Sequence, residues 1–133
     1  MAWKSSVLVV ANQTADSPEL IQALRERAAE GGAEFTLLLP RLPGKREEAA
    51  ARLEEIVAAW HEAGLEASGE LGDNDPVAAV KEAWDPARFD EVIISTLATG
   101  ASKWLQIDLP HQVERVTGVP CEHVVAAPQG AAS

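Results

Sequence analysis

Cationic side chains are scarce in this chain of 133 residues: 11 lysines and arginines stand against 21 aspartates and glutamates, a formal net charge of -10. Nucleic acid and anionic membrane are polyanions that a basic surface would have to neutralise, so neither is an expected partner. Cysteine is reduced to Cys121, which excludes an intrachain disulfide and suits a reducing compartment, so the expected location is cytoplasmic. The first aliphatic run, Val7 to Ala11, is too short to span a bilayer, and Met1-Ala2-Trp3-Lys4 ahead of it lacks the layout of a signal peptide. Internal repeats and coiled-coil heptads are missing. His61, His111 and His123 fall on separate elements without metal-ligand spacing, and a single cysteine adds little, so no metal site is expected. No Gly-x-Ser-x-Gly elbow is present, no histidine is placed by local pattern to activate Cys121, and no catalytic set emerges. The chain reads as a non-enzyme.

What is present is a globular composition, 47% hydrophobic at 14.1 kDa, enough for one domain and too little for two. We expect that domain to occupy residues 1–127, with 128–133 (Pro128 to Ser133) as a flexible tail lacking apolar period.

Five strands alternate with helices along it. Ser6 to Ala11 is a continuous β-branched and aliphatic run, as in a strand covered on both faces. Asn12 to Asp16 breaks it, and Ser17 or Asp16 caps a helix with Pro18 in its first turn, where the missing N–H costs little. Leu20, Ile21, Leu24 and Ala28 mark its buried face, and Gly31-Gly32 ends it. Ala33 to Leu39 is the second strand. A long helix follows from Arg46 to Ala63, with Ala49, Leu53, Ile56, Val57 and Trp60 on one face and solvated charge on the other. Leu65 to Leu71 is a weaker strand, interrupted by Ser68 and Gly69 and suited to a sheet edge. The Asp73-Asn74-Asp75 turn is explained by capping, with Asp75 before Pro76, and Val77, Val80 and Trp84 face inward from the third helix. Glu91 to Thr96 is the fourth strand. Asp108 caps a last helix carrying Leu109, Val113 and Val116, Gly118 closes it, and Pro120 to Ala126 is the fifth strand. This β-α alternation predicts an α/β fold, a parallel sheet with helices on both faces.

In order and spacing these features resemble the universal stress protein superfamily from Ser6 to Ala126. They are the Val7 to Ala11 strand with a polar turn at Asn12, Gly72-Asp73 before Pro76, the Phe89-Asp90-Glu91-Val92-Ile93-Ile94 approach to the fourth strand, and Val119-Pro120 before the last. Ser102-Lys103-Trp104-Leu105 is similar to a divergent actinobacterial-type branch. The resemblance implies a Rossmann-like three-layer α/β/α fold with a five-stranded parallel sheet of order 3-2-1-4-5. It also implies a homodimer through the edge strand Cys121 to Ala126, since an aliphatic edge needs cover.

ATP-binding members of that superfamily carry two glycines separated by two residues, then Gly-Ser or Gly-Thr nine residues on, because phosphate reaches backbone N–H groups only where no side chain intervenes. With Gly100 as the second glycine, Leu97 stands at the first and Pro110-His111 at the last pair, and Pro110 has no N–H to give. The ribose- or adenine-binding aspartate of many members aligns with Asn12, which hydrogen-bonds without charge. Asn12, Thr14, Thr99, Gly100, Ser102 and Lys103 are therefore the expected ligand-binding cleft, flanking the ends of the first and fourth strands. Trp104 beside them is either a lid or an apolar plug. The sequence points to a stress-protein-like regulatory or binding domain without standard ATP binding and without a resident cofactor. Two alternatives stay open: an ATP, AMP or small-anion sensor with a modified loop, and a pure dimerisation or partner-binding module.

Overall fold

Every side chain from Val7 to Ala11 is 0% exposed, so the first strand can only lie in the middle of the molecule with both faces covered. In the computed structural model, which describes residues 5–12, 14–41, 44–97 and 108–126, this strand, β1 (Ser5–Val10), is the centre of a five-stranded sheet. Around it run α1 (Pro18–Ala29), β2 (Ala33–Pro40), α2 (Arg46–Glu62), β3 (Glu66–Gly72), α3 (Pro76–Ala83), β4 (Glu91–Leu97), α4 (Leu109–Thr117) and β5 (Cys121–Ala126). All pairings are parallel and the order is β3-β2-β1-β4-β5, the order the resemblance implies.

The sheet separates two apolar layers because alternate residues of a strand point to opposite faces. Val7, Val9, Phe35, Leu37 and Ile93 pack with Leu20 and Leu24 of α1 and with Ile56 and Trp60 of α2. Leu8, Val10, Leu38, Val92 and Ile94 pack on the other side with Ala79 and Val80 of α3 and with Leu109 and Val113 of α4. Each large aliphatic side chain so buried contributes about 1.5–3 kcal/mol. Trp60 is wholly buried yet satisfied, its indole N–H donating to the Ala15 carbonyl at 3.0 Å.

Local chemistry sets most boundaries. Ser17 caps α1, accepting from the Leu20 N–H, and Asp75 caps α3, accepting from the Val77 N–H. Gly118, with φ 74°, ends α4 in the left-handed region that glycine enters freely. Asp108 departs from expectation: it sits at the start of α4 with φ 54°, and its side chain makes no capping bond. Its carboxylate instead accepts from His111 Nδ1 at 2.7 Å, so the aspartate is spent on the first turn's side chain rather than its backbone. Trp84 lies just past the end of α3, half-buried and stacked on Phe89 with ring centroids 6.0 Å apart. Arg27 of α1 donates to both carboxylate oxygens of Glu91 and to Ser5 Oγ, tying α1 to the start of β4. That hydrogen bonding holds the Glu91 carboxyl below the ordinary glutamate range.

Cys121 is half-buried rather than fully buried, on an edge strand that is paired along one side only. Burial, and secondarily the charge of Glu114, push its thiol up to about 11, leaving it protonated and unreactive near neutrality. Among the described residues, no helix is long and apolar enough to cross a membrane. The expected tail at 128–133, Trp3 and Trp104 lie outside the described residues.

The glycines of β3 are there for proximity as much as for edge position. A Cβ on Gly69 would meet the flexible Leu53 side chain of α2 at 2.6 Å, and one on Gly72 would lie 2.7 Å from Ala79 Cβ and 2.8 Å from Leu38 Cδ1. Ala79 is held on a helix and cannot swing aside, so Gly72→Ala is expected to destabilise the fold by about 1–3 kcal/mol, the usual range for overpacking. Urea denaturation with an unchanged slope checks this; a midpoint equal to that of the parent chain would contradict the packing described.

Candidate functional site

Beyond Val10 the chain leaves the sheet through a turn held from three sides. Within it, the Ala15 N–H donates to the Asn12 carbonyl at 3.2 Å and the Ser17 N–H to the Thr14 carbonyl at 3.0 Å, which closes the turn into the first helical residues. From β4, Ser95 Oγ lies 2.6 Å from Thr14 Oγ1, with the two residues 1% and 3% exposed. From α2, Arg52 Nη2 donates to the Asn12 carbonyl at 2.6 Å and Nη1 to Asn12 Oδ1 at 3.4 Å. The carboxyl ends of β1 and β4 therefore meet in a small polar patch surrounded by aliphatic side chains, at the point where chain connections diverge to opposite faces of the sheet. Open α/β sheets place their ligands at that point.

Of the expected cleft residues, the structure brings Asn12 and Thr14 to this end of the sheet. Asn12 is half-buried, whereas the Thr14 hydroxyl is turned inward to Ser95 rather than outward. Thr99, Gly100, Ser102 and Lys103 lie outside the described residues, as does Trp104. Two further participants escaped the sequence reading. Ser95 reads as one more residue of a strand, although a hydroxyl near the carboxyl end of a buried strand is itself a signal. Arg52 lies on a helix face taken as solvated, and nothing local links it to Asn12, 40 residues away.

Beside the turn, a groove of about 350 Å³ is lined by Asp16, Glu48, Arg52, Glu55 and Ile56 among others. A second groove, of about 330 Å³, lies toward the opposite end of the sheet and includes Glu34, Thr36, Glu66, Ser68 and Arg88. Its polar groups largely serve one another: Ser6 Oγ donates to Glu34 Oε1 at 2.8 Å, and Arg88 pairs with Glu70 while lying 4.7 Å from the centre of the Phe89 ring. It is also at the amino ends of the strands, away from the switch point. Among the described residues, no group of histidine, cysteine, aspartate and glutamate side chains could hold a metal ion. His123 of β5 faces Thr96, with Nε2 2.7 Å from Oγ1, and burial lowers its pKa below the ordinary histidine value.

Against sequence models of known families and against curated proteins, the chain has no match. Against solved structures it does. A universal stress protein from Archaeoglobus fulgidus in complex with dAMP superposes with a TM-score of 0.65 at 14% identity, covering 93% of this chain and 99% of its own. The fold is that of the universal stress proteins. A universal stress protein in complex with cAMP matches with a TM-score of 0.61 at 19% identity over 95% of this chain and 99% of its own. An Arabidopsis thaliana member with AMP bound gives 0.56 at 16% identity over 97% and 99%. At such identities the likeness is one of backbone architecture.

The Thr14–Ser95 contact makes a direct stability prediction. Thr14→Val keeps the side-chain shape but leaves the Ser95 hydroxyl buried and unpaired, and is expected to lower stability by about 1–3 kcal/mol, the desolvation cost of an orphaned polar group. Adding Ser95→Ala removes the orphan, so the double variant should lose less than the two single losses summed. Urea denaturation of the three variants measures this, and a neutral Thr14→Val would show that the two hydroxyls do not depend on each other.

Proposed function

We propose that this chain is a regulatory domain of the universal stress protein superfamily that binds an adenosine monophosphate at the carboxyl ends of β1 and β4. It works as a cytoplasmic homodimer and does not hold ATP in the manner of the glycine-loop members. The observation that carries the reading is the half-buried Asn12, in a turn anchored to β4 by the Thr14–Ser95 contact, at the switch point of a sheet whose solved neighbours include complexes with dAMP, cAMP and AMP. Thr99, Gly100, Ser102 and Lys103, which follow β4 in sequence, complete the proposed cleft, with small residues, hydroxyls and one cation that suit a single phosphate. Leu97, Pro110 and His111, standing where the glycine motif would be, argue against a triphosphate. A helix N-terminus adds only about 0.3–1 kcal/mol for a nearby anion, far short of replacing that motif.

The dimer rests on β5. It is an edge strand, and its Val125, 46% exposed, is the exposed large hydrophobic side chain among the described residues. A second β5 laid alongside would pair the open edge and cover Val125. The same feature favours the second reading, a dimerisation or partner-binding module that needs no nucleotide.

Thermal melting separates these readings. AMP at millimolar concentration is expected to raise the melting temperature, since ligand at about 100 times its Kd adds roughly 2.7 kcal/mol to the folded state, and ATP is expected to do no better. The absence of a shift with either, together with no nucleotide released on denaturing the purified protein, would leave only the module reading. Sedimentation at tens of micromolar should show a dimer that Val125→Lys converts to a monomer; a monomeric parent chain would contradict the β5 interface.

A further inference from the structure

We propose that the polar face of β2 and β3, at the amino ends of the strands, is a docking surface for an arginine-bearing segment of a partner protein. The two faces of these strands differ. Phe35 and Ala67 point to the α2 side and pack in the core there, while Glu34, Thr36, Glu66 and Ser68, which alternate with them, point to the α3 side. The short α3 packs toward the carboxyl ends, where Ala79 and Leu38 crowd Gly72. At the amino ends the face is open: Glu34, Glu66 and Ser68 are exposed and Thr36 is half-buried. With Ser6, Arg88 and the buried Phe89 they line the groove of about 330 Å³.

The chain has already seated one of its own guanidinium groups on this face. Arg88 lies over the Phe89 ring, 4.7 Å from its centre, and pairs with Glu70, which follows Ser68 on the same face of β3. An aromatic ring beside a carboxylate suits a planar guanidinium better than a compact ammonium. Farther toward the amino end, Glu34 and Glu66 are direct neighbours across the two strands, and Thr36 stands beside Ser68 with their hydroxyl oxygens 3.4 Å apart. Ser6 Oγ donates to Glu34 Oε1 at 2.8 Å and steadies that carboxylate. Like charges side by side on adjacent strands repel, and a cation laid over them is attracted to both. Backbone spacing sets the four residues at the corners of a rectangle about 5 Å by 7 Å, and a guanidinium with its five N–H donors can address several of them from one position.

Charge selects the occupant. Glu34, Glu66, Glu70 and Asp90, which accepts from the Ser6 N–H at 2.8 Å, surround one guanidinium in a chain of net charge -10. Nucleic acid and anionic membrane are repelled, and a second copy would set these carboxylates against another acidic chain. The groove has room for a side chain or two rather than a folded element, which an arginine on an extended segment fills. It lies at the opposite end of the sheet from Asn12, so the proposal does not depend on the nucleotide reading.

The experiment is fluorescence anisotropy of a short labelled peptide in which arginine alternates with glycine, and of its lysine counterpart, titrated with the full chain at physiological salt. The parent chain is expected to bind the arginine peptide about fivefold or more tightly than the lysine one. The double variant Glu34→Gln/Glu66→Gln keeps an acceptor for Ser6 and should weaken binding about tenfold or more, the effect of losing charge-assisted hydrogen bonds. Glu47→Gln/Glu54→Gln removes the same charge from the exposed face of α2 and should change binding by about twofold or less. Melting establishes that both variants are folded. On the labelled parent chain, the backbone amides of Thr36 and Ser68 should shift with the arginine peptide while that of Thr14 stays in place. Equal weakening by the two double variants, or no preference for arginine over lysine, overturns the proposal in favour of general attraction to an acidic protein. Failure of the arginine peptide to bind the parent chain also overturns it. Loss of the dimer in sedimentation on Glu34→Gln/Glu66→Gln would assign the face to a second copy and overturn it equally.

Discussion

The burial of β1 on both faces is the constraint from which the rest of the molecule follows. Five consecutive side chains with no exposure leave no position from Val7 to Ala11 where a polar group could stand without a large desolvation cost. After Ser5 and Ser6 at the strand's half-buried amino end, the next polar side chain is Asn12, beyond the carboxyl end, and it appears together with the helical turn that must carry the chain away. The position of the polar patch is thus a by-product of building a central parallel strand: polar groups are pushed to its two ends, and at the carboxyl end they meet the switch point of the sheet. Ser95 and Thr96 on β4, at 1% and 2% exposed, break that exclusion next door. Ser95 is accommodated through its bond to Thr14, and Thr96 through its contact with His123.

Much of the fold was legible in the sequence because its signals are local. A continuous aliphatic run, a serine or aspartate before a proline, and a glycine after a periodic segment each report a boundary by themselves, and β1, α1 and α3 follow from them. The sheet order was not local. It entered through the resemblance, and the structure has that order. Gly69 and Gly72 show the limit of local reading: the first looks like a weakness in an edge strand and the second like part of the turn before Pro76, whereas their lack of a side chain is what lets Leu53 and Ala79 come close. Asp108 shows another, since an aspartate before a helix reads as a cap and the nearby His111 takes its carboxylate instead.

The candidate site was legible by position and less so by composition. Asn12 and Thr14 were found because they follow the first strand, but the inward turn of the Thr14 hydroxyl depends on Ser95, which is 81 residues distant. Arg52 was invisible for the same reason. On α2 it stands among Glu47, Glu48, Glu54 and Glu55 and reads as one charge of a solvated face, and only the packing of α2 against the β1–α1 turn gives its guanidinium the Asn12 carbonyl and amide as partners. Backbone likeness to nucleotide-bound proteins at 14–19% identity establishes the frame.

Ligand binding is proposed at the carboxyl end of the sheet, at Asn12 and its partners. A nitrogen-15 NMR titration of the labelled chain with AMP tests it most directly, because the Asn12 side-chain amide gives its own signals. The Asn12 side-chain pair, the Thr14 backbone amide and the Arg52 guanidinium signal are expected to move together and saturably, while signals from the amino-end groove around Glu34, Ser68 and Arg88 stay in place. Signals that move at Glu34 and Arg88, with Asn12 and Arg52 unchanged, would contradict it.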